Sequence, residues 1–199
     1  MADLEKTGKN LEGRGFRVHR FASGAEAAEF LVQTLHGTSI GIGGSVTIDT
    51  LGVYDRLCGS NEVFWHWKNH APETRERAGK AETYLCSANG VSENGEIVNI
   101  DGFGNRVAGT IYGPERVFLV VGRNKIAPDL TGAIDQARNI AAPLNARRLN
   151  RHTPCAVGEP RCHDCRSPEK VCGVMTVFFM PPTSIKEFHV ILVDEDLGY

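Results

Sequence analysis

Four of the chain's six cysteines lie close together, in a segment at 153–173. Their spacing is Cys155-x6-Cys162-x2-Cys165-x6-Cys172, so the inner pair can present two thiolates to one metal from a single tight turn. By count, four thiolates match a four-cysteine zinc site and a 4Fe-4S cluster equally well. Structural zinc commonly uses two short cysteine pairs, whereas only one occurs here. The spacing therefore favours a 4Fe-4S cluster, with zinc, or a segment that binds no metal, as the alternatives.

The charge around these cysteines agrees with a metal centre. Positions 145–172 carry six basic and three acidic side chains. This local excess of positive charge would stabilise a centre made of thiolates, although a solvated basic loop is the alternative interpretation. We interpret His152 and His163 as surface or neighbouring groups rather than ligands. Cys58 and Cys86 are interpreted as small buried hydrophobic residues.

A glycine-rich turn offers a second kind of chemistry. In "GIGGSVTID", Gly41, Gly43 and Gly44 stand where a strand would enter a helix, and Ser45 adds a hydroxyl. Free backbone N–H groups at such a turn can bind an anion or a cofactor. The turn lacks the dinucleotide-binding pattern, because Val46 stands at the position of the third glycine. A turn that needs glycine only for close backbone packing is the alternative.

Polar side chains at two further strand ends complete the candidate active site. Asp101, Asn105 and Arg106 lie on the turn "NIDGFGNR", and Lys125 ends "VFLVVGRNK". Open α/β sheets bind ligands at strand ends, so we predict that these residues bind and polarise a small anionic metabolite. Ordinary turn chemistry is the alternative. The "FWHW" run around His66 instead indicates core aromatic residues with a hydrogen-bonded histidine.

The elements that must position these residues alternate between strand and helix patterns. "FRVHRF" at 16–21 alternates as a strand does, and Ser23 then begins a helix with a capping box. "RVFLVVG" at 116–122 is a near-continuous apolar run, typical of a strand covered on both faces. Asn94-Gly95 signals a hairpin. The sequence therefore predicts one α/β domain over 1–199, with a mostly parallel sheet and an antiparallel hairpin insertion.

Composition excludes several classes of partner. The formal net charge of −2 provides no basic field for nucleic acid. No apolar run approaches the roughly 20 residues that cross a bilayer, so we expect no membrane partner and a cytoplasmic location. In a reducing cytosol, clustered cysteines favour metal binding over disulfides. The oligomeric state stays open, with a homo-oligomer among the states considered.

Several motifs, in order, resemble the lactate-utilisation or LUD-domain family. They are "GIGGSVTIDTLGVYD", "NGEIVNIDGFGNRVAGTIYGPERVFLVVGRNKI", "AAPLNARRLN", the cysteine segment "TPC…C.DC.SPEKVC" and "VILVDEDLGY". The resemblance implies a fold akin to the ribose-phosphate isomerase and CoA-transferase superfamily, in which glycine-rich turns line the ligand site. It also implies other iron-sulfur redox proteins as partners in oxidising L-lactate to pyruvate. Simpler members lack the four-cysteine segment, so this chain is identified as a subtype that carries it.

Two functions follow as expectations. The first is an iron-sulfur redox protein, a component of an oxidoreductase, that takes part in oxidising lactate or a related hydroxy acid by electron transfer. The second is a non-redox isomerase, hydratase or transferase acting on a phosphorylated or carboxylated metabolite, with a structural or Lewis-acid metal. A binding module with a purely structural metal is a third interpretation.

Overall fold

A computed structural model of the chain describes residues 3–199. Met1 and Ala2, which the predicted domain 1–199 includes, lie outside the described residues. The strands, in chain order, are β1 (Arg17–Phe21), β2 (Ser39–Ile42), β3 (Glu62–Trp65), β4 (Thr83–Ser87), β5 (Gly90–Ser92), β6 (Ile97–Asp101), β7 (Arg116–Gly122), β8 (Ile126–Ala127), β9 (Val174–Phe178) and β10 (Glu187–Val193).

Helices connect most of these strands. They are α1 (Leu4–Gly13), α2 (Gly24–Thr34), α3 (Val46–Leu51), α4 (Tyr54–Cys58), α5 (Thr74–Lys80), α6 (Asn105–Gly109), α7 (Leu130–Asp135), α8 (Ala142–Arg148) and α9 (Pro154–Val157). A 3-10 turn at Arg123–Lys125 follows β7, and a π-helical segment at Gln136–Ala141 joins α7 to α8. No helix of the described residues is both long enough and apolar enough to cross a membrane.

The main sheet has six strands in the order β1-β10-β7-β4-β2-β3, and all its pairings are parallel. Alternate residues of β7 face opposite sides: Val117 and Leu119 pack in one apolar cluster, whereas Phe118 and Val120 pack in another. Both faces of the strand are covered, which is why its sequence is an almost unbroken apolar run. The predicted α/β class with a mostly parallel sheet is confirmed.

A second, mixed sheet of four strands has the order β8-β5-β6-β9. Strands β5 and β6 form an antiparallel pair around the turn at Asn94 and Gly95, and Gly95 has a φ of 90°. The predicted hairpin is confirmed. It does not stand alone, because β9 pairs with the other edge of β6, and β8 pairs parallel with β5. Ile100 and Asp101, at the end of β6, bring this sheet to the cleft described below.

Candidate functional site

A cleft of about 850 Å³ opens where several strands of both sheets end. Ser45 follows β2, Ser87 ends β4, Asp101 ends β6, and Lys125 follows β7; all four line the cleft. The carboxyl ends of parallel strands meet at one edge of a sheet, which is where open α/β folds bind their ligands. The topology thus brings together residues that are far apart in sequence.

Lys125 lies at the buried side of this cleft, with only 2% of its surface exposed. Its Nζ donates hydrogen bonds of 2.7 Å to Thr47 Oγ1 and 2.7 Å to Ser87 Oγ. Burial, and secondly the charge of Arg106, lower the pKa of the Lys125 amine to about 7. A lysine with such a pKa can exchange protons near neutral pH, as an exposed lysine cannot.

The cleft has a strong excess of basic side chains. Seven basic residues line it: Lys68, Arg75, Arg106, Lys125, Arg148, Arg151 and Lys170. Three acidic residues oppose them: Asp49, Asp101 and Glu169. The chain as a whole has a net charge of −2, so the positive charge is concentrated at the cleft. Such a lining attracts small anions.

Arg106 lies in the cleft wall, but its guanidinium is held by the protein itself. It donates to the Ser87 carbonyl at 3.2 Å, to Asn99 Oδ1 at 3.0 Å and to Asn89 Oδ1 at 2.8 Å, and also to the Ile100 carbonyl. These acceptors come from β4, β6 and the loop between β4 and β5. Arg106 therefore links the two sheets through hydrogen bonds. It contributes positive charge to the cleft, but its guanidinium is already hydrogen-bonded within the protein.

Asp101 and Asn105, the other two predicted catalytic residues on this turn, also line the cleft. Asp101 Oδ2 accepts from the backbone N–H of Arg106 at 3.0 Å and of Val107 at 3.3 Å, so it caps the start of α6. The Asn105 carbonyl accepts from the Tyr84 hydroxyl at 3.2 Å. Both residues thus have clear structural roles at the wall.

The glycine-rich turn is divided between the cleft and the core. Gly44 and Ser45 line the cleft, whereas Gly41 and Gly43 are absent from its wall. A Cβ at Gly41 would lie 2.0 Å from the Ala78 carbonyl oxygen, so this glycine lets α5 pack closely on β2. Ser45 Oγ accepts from the Ile48 N–H at 3.2 Å and caps α3. Close packing of α5 on β2 therefore explains why position 41 is a glycine.

The sequence interpretation missed residues that follow β3. His66 and Trp67 line the cleft, because the strand ends at Trp65. Among the described residues, His66 Nδ1 is buried with no hydrogen-bond partner, so the expected core histidine with a partner is not found. Burial, and secondly Arg75, lower its pKa. His66 therefore brings an unpaired ring nitrogen to the region of the cleft wall.

A further part of the wall comes from α8 and the last residue of the chain. The Arg148 guanidinium stacks over the Trp67 ring at 4.5 Å, and its Nε donates to the Tyr199 hydroxyl at 2.8 Å. Both Arg148 and Tyr199 fall within quoted motifs, but nothing in their spacing relates them to β3. The contact is visible only in three dimensions.

The four cysteines of the 153–173 segment line one small cavity of about 190 Å³. Its wall contains Cys155, Cys162, Cys165 and Cys172, all with free thiols. Cys58 and Cys86 are not part of it. Cys86 is buried as expected, but Cys58 is exposed, so its interpretation as a buried residue was wrong.

The fit of this cavity to a metal group can be judged from its donors. In residues 3–199 as arranged, no group of three or more His, Cys, Asp or Glu side chains is close enough to hold a single metal ion. The cavity volume is many times the roughly 10–15 Å³ that one water needs. The four thiols therefore line one cavity without forming the ligand set of a single ion.

The π-helical segment positions the cysteine loop. Arg138 Nη2 lies 3.3 Å from Cys162 Sγ, and Asn139 Oδ1 accepts from the Cys162 backbone N–H at 2.8 Å. The backbone N–H of Asp164 also donates to Cys162 Sγ, at 3.4 Å. A π segment widens the helix and changes where its side chains point, and such segments often occur at functional sites.

The cysteine-lined cavity and the basic cleft share part of their walls. Ile100, Ala142, Lys170 and Val171 line both of them. The cavity is therefore separated from the cleft by one layer of side chains. A group bound in the cavity would lie next to a ligand bound in the cleft.

Comparisons with known proteins agree with this architecture. The crystal structure of a DUF162 family protein from Deinococcus radiodurans superposes with a TM-score of 0.56 at 14% sequence identity, covering 96% of this chain and 95% of that chain. At this identity the likeness concerns the fold. The search of curated proteins gave no match. The profile of the LUD domain matches residues 4–193. Because that match covers nearly the whole sequence, the chain belongs to the LUD-domain family.

Proposed function

We propose that this protein is a lactate-utilisation-type iron-sulfur protein, a component that takes part in oxidising lactate or a related 2-hydroxy acid by electron transfer. Family membership supports a role related to lactate utilisation. The observation that carries the finer proposal is the shared wall between the cysteine-lined cavity and the basic cleft. A redox centre and its substrate need this proximity.

The cleft would bind the carboxylate of the hydroxy acid. Arg75 and Arg151 line it, and no ion pair of either is found among the described residues, so their charge is free for a ligand. A guanidinium can bind a carboxylate through two parallel hydrogen bonds. His66 Nδ1, which is buried without a partner, offers a further polar contact at the same wall.

Lys125 would accept the proton of the substrate's hydroxyl group. Oxidation of a 2-hydroxy acid to a 2-oxo acid removes two electrons and two protons. An amine with a pKa of about 7 is partly neutral at physiological pH and can accept the first of these protons. Its two hydroxyl partners, Thr47 and Ser87, fix its direction. The two-electron change also requires an electron acceptor, for which we propose a partner iron-sulfur protein.

Cys155, Cys162, Cys165 and Cys172 would hold the 4Fe-4S cluster, with zinc as the alternative occupant. The cluster, when bound, supplies one-electron transfer. Arg138 would neutralise part of its negative charge through its contact with Cys162 Sγ. We also propose a cytoplasmic location, where reducing conditions keep these thiols free.

A non-redox reaction is the second candidate, and Lys125 favours it. A buried lysine with a pKa of about 7 suits proton transfer in an isomerase or hydratase that acts on a carboxylated or phosphorylated metabolite. In that case the cysteine segment would hold a structural or Lewis-acid metal. The two candidates share the cleft and differ in whether electrons leave the substrate.

Anaerobic purification followed by iron, sulfide and zinc analysis tests the proposal. We expect iron and sulfide, a visible absorption band, and bleaching of that band when L-lactate is added together with a one-electron acceptor that takes the second electron. Serine variants of the four clustered cysteines should each lose iron, whereas Cys58→Ser, at an exposed position of α4, should keep it. Zinc in place of iron, or a band that no 2-hydroxy acid changes, would favour the non-redox candidate.

A further inference from the structure

The hydrogen bonds around Lys125 bear on the protonation state of its amine. The Thr47 hydroxyl donates its hydrogen to the Leu197 carbonyl at 3.2 Å, and the Ser87 hydroxyl donates its hydrogen to the Ala88 carbonyl at 3.1 Å. Both hydroxyl oxygens therefore face Lys125 Nζ as acceptors, each at 2.7 Å. The arrangement supplies two acceptors for two N–H hydrogens.

A neutral amine fits this arrangement better than an ammonium group does. An amine has two N–H hydrogens and one lone pair, whereas an ammonium has three N–H hydrogens. In residues 3–199, Nζ has no third hydrogen-bond partner and no carboxylate within ion-pair distance. The third N–H of an ammonium would have no acceptor within the protein. The lone pair of the amine, in contrast, needs no partner.

Lys125 and both of its hydroxyl partners, Thr47 and Ser87, belong to the cleft wall. Behind them the chain is tightly packed, since a Cβ at Gly198 would lie 2.6 Å from Thr47 Oγ1. The charged or titratable groups that act on the amine are Arg106, from α6, and Cys86, from β4. A buried, desolvated amine at the wall of a ligand cleft is the arrangement of a nucleophilic lysine.

We propose that Lys125 forms an imine with the carbonyl carbon of a 2-oxo acid bound in the cleft, which rests on the proposed function in that the cleft takes 2-hydroxy and 2-oxo acids. The Nζ lone pair attacks the carbonyl carbon, a C–N bond forms and the C–O bond breaks. The oxygen leaves as water with the two hydrogens that the amine carried. No electrons are gained or lost, so the step needs no oxidant.

The imine would give the site a selectivity that charge alone does not. Hydroxy and oxo acids carry the same carboxylate, and the basic lining attracts both. Only the oxo acid has a carbonyl carbon that can bond to Nζ. The imine would also withdraw electrons from the neighbouring carbon, which is what a non-redox reaction at that carbon requires.

Reduction of the imine tests the proposal. The full chain, purified anaerobically, is incubated with pyruvate and sodium cyanoborohydride, and the product is analysed by intact mass and peptide mapping. We expect one adduct per chain, located at Lys125. Lys125→Met should form none, whereas Lys80→Met should form it as the parent protein does, because Lys80 is exposed on α5 and paired with Glu76. L-lactate should slow adduct formation by competing for the cleft.

Calorimetric titration with pyruvate separates the two proposals. Saturable binding without an adduct at Lys125 would overturn the imine and leave the proposed function standing. Neither binding nor an adduct would overturn both. Adducts spread over surface lysines would also overturn the imine. If Lys125→Met fails to fold, the peptide map of the parent protein still decides where the adduct lies.

Discussion

Arg138 Nη2 lies 3.3 Å from the Sγ of Cys162, although 24 residues separate them in the chain. The contact joins the π-helical segment to the cysteine loop. It gives this sulfur a positively charged hydrogen-bond donor in addition to the Asp164 N–H. Hydrogen bonds and positive charge at sulfur stabilise the reduced, more negative state of an iron-sulfur cluster.

Substituting Arg138 should therefore change the reduction potential of the proposed cluster. We expect Arg138→Leu to shift the midpoint potential to more negative values while the iron content stays near that of the parent protein. A potentiometric titration followed by visible absorption measures this shift. Arg161→Gln is the matched control, since Arg161 lies in the same loop but pairs with Glu159 and contacts no sulfur. Equal midpoint potentials in Arg138→Leu and the parent protein would show that Arg138 does not stabilise the reduced cluster.

Arg106 and Arg75 should respond differently to substitution. The Arg106 guanidinium makes four hydrogen bonds to groups of both sheets, so Arg106→Ala leaves buried acceptors unpaired. We expect it to lower the free energy of unfolding by about 2–4 kcal/mol. Arg75 is exposed over the Phe103 ring, and Arg75→Ala should weaken anion binding with a stability change within about 0.5 kcal/mol. Urea unfolding and calorimetric titration with lactate measure both effects.

That expectation for Arg106 departs from its sequence interpretation as a ligand-binding cation. The sequence placed Arg106 correctly on a turn at a strand end. The acceptors of its guanidinium come from positions 87, 89, 99 and 100, and only the packing of the two sheets brings them together. A strand end predicts the location of a side chain, but it does not tell whether that side chain faces a ligand or the protein.

Gly41 should be essential to packing and Gly79 should not. A Cβ at Gly41 would lie 2.0 Å from the Ala78 carbonyl oxygen, and backbone cannot move aside cheaply. We expect Gly41→Ala to destabilise the fold by about 1–3 kcal/mol. Gly79, the next residue of α5 after Ala78, has nothing within 4 Å of such a Cβ, so Gly79→Ala should be neutral or stabilising. Thermal unfolding of the two variants, compared with the parent protein, tests this difference.

Most of the fold could be predicted from the sequence, because its main strands are buried on both faces and therefore appear as apolar runs. The extent of the second sheet could not be predicted from the sequence. Strand β8 has only two residues, whereas the run at 174–179 does predict a strand, which the structure has as β9. The partner of β9 is β6, more than 70 positions earlier in the chain. Pairing over such a distance leaves no local pattern.

Part of the candidate site could also be predicted from the sequence. Lys125 stands three residues after the end of a recognisable strand, so its place at the sheet edge could be predicted. His66 and Trp67 follow β3, but the aromatic run "FWHW" continues the strand pattern beyond the point where the strand ends. The sequence does not mark that end. The hydrogen bonds around the Lys125 amine involve Thr47, Ser87 and Leu197, which three separate segments contribute.

The stability of the protein should depend on pH through Lys125. Burial lowers the pKa of its amine in the folded chain from 10.5 to about 7. Between these values the unfolded chain binds a proton that the folded chain does not, so the free energy of unfolding rises with pH over this window. Below about pH 7 both states are protonated and the folded chain bears the full cost of the buried charge.

Lys125→Met removes this dependence and provides the measurement. We expect the variant to be more stable than the parent protein at about pH 6, and the gain to shrink by more than about 1 kcal/mol by about pH 9. Urea unfolding of both proteins at the two pH values measures the change. Lys80→Met, which removes an exposed lysine paired with Glu76, should show no such trend. A gain that is equal at both pH values would mean that Lys125 keeps its ordinary pKa, and the neutral nucleophile inferred from its two hydroxyl acceptors would lose its basis.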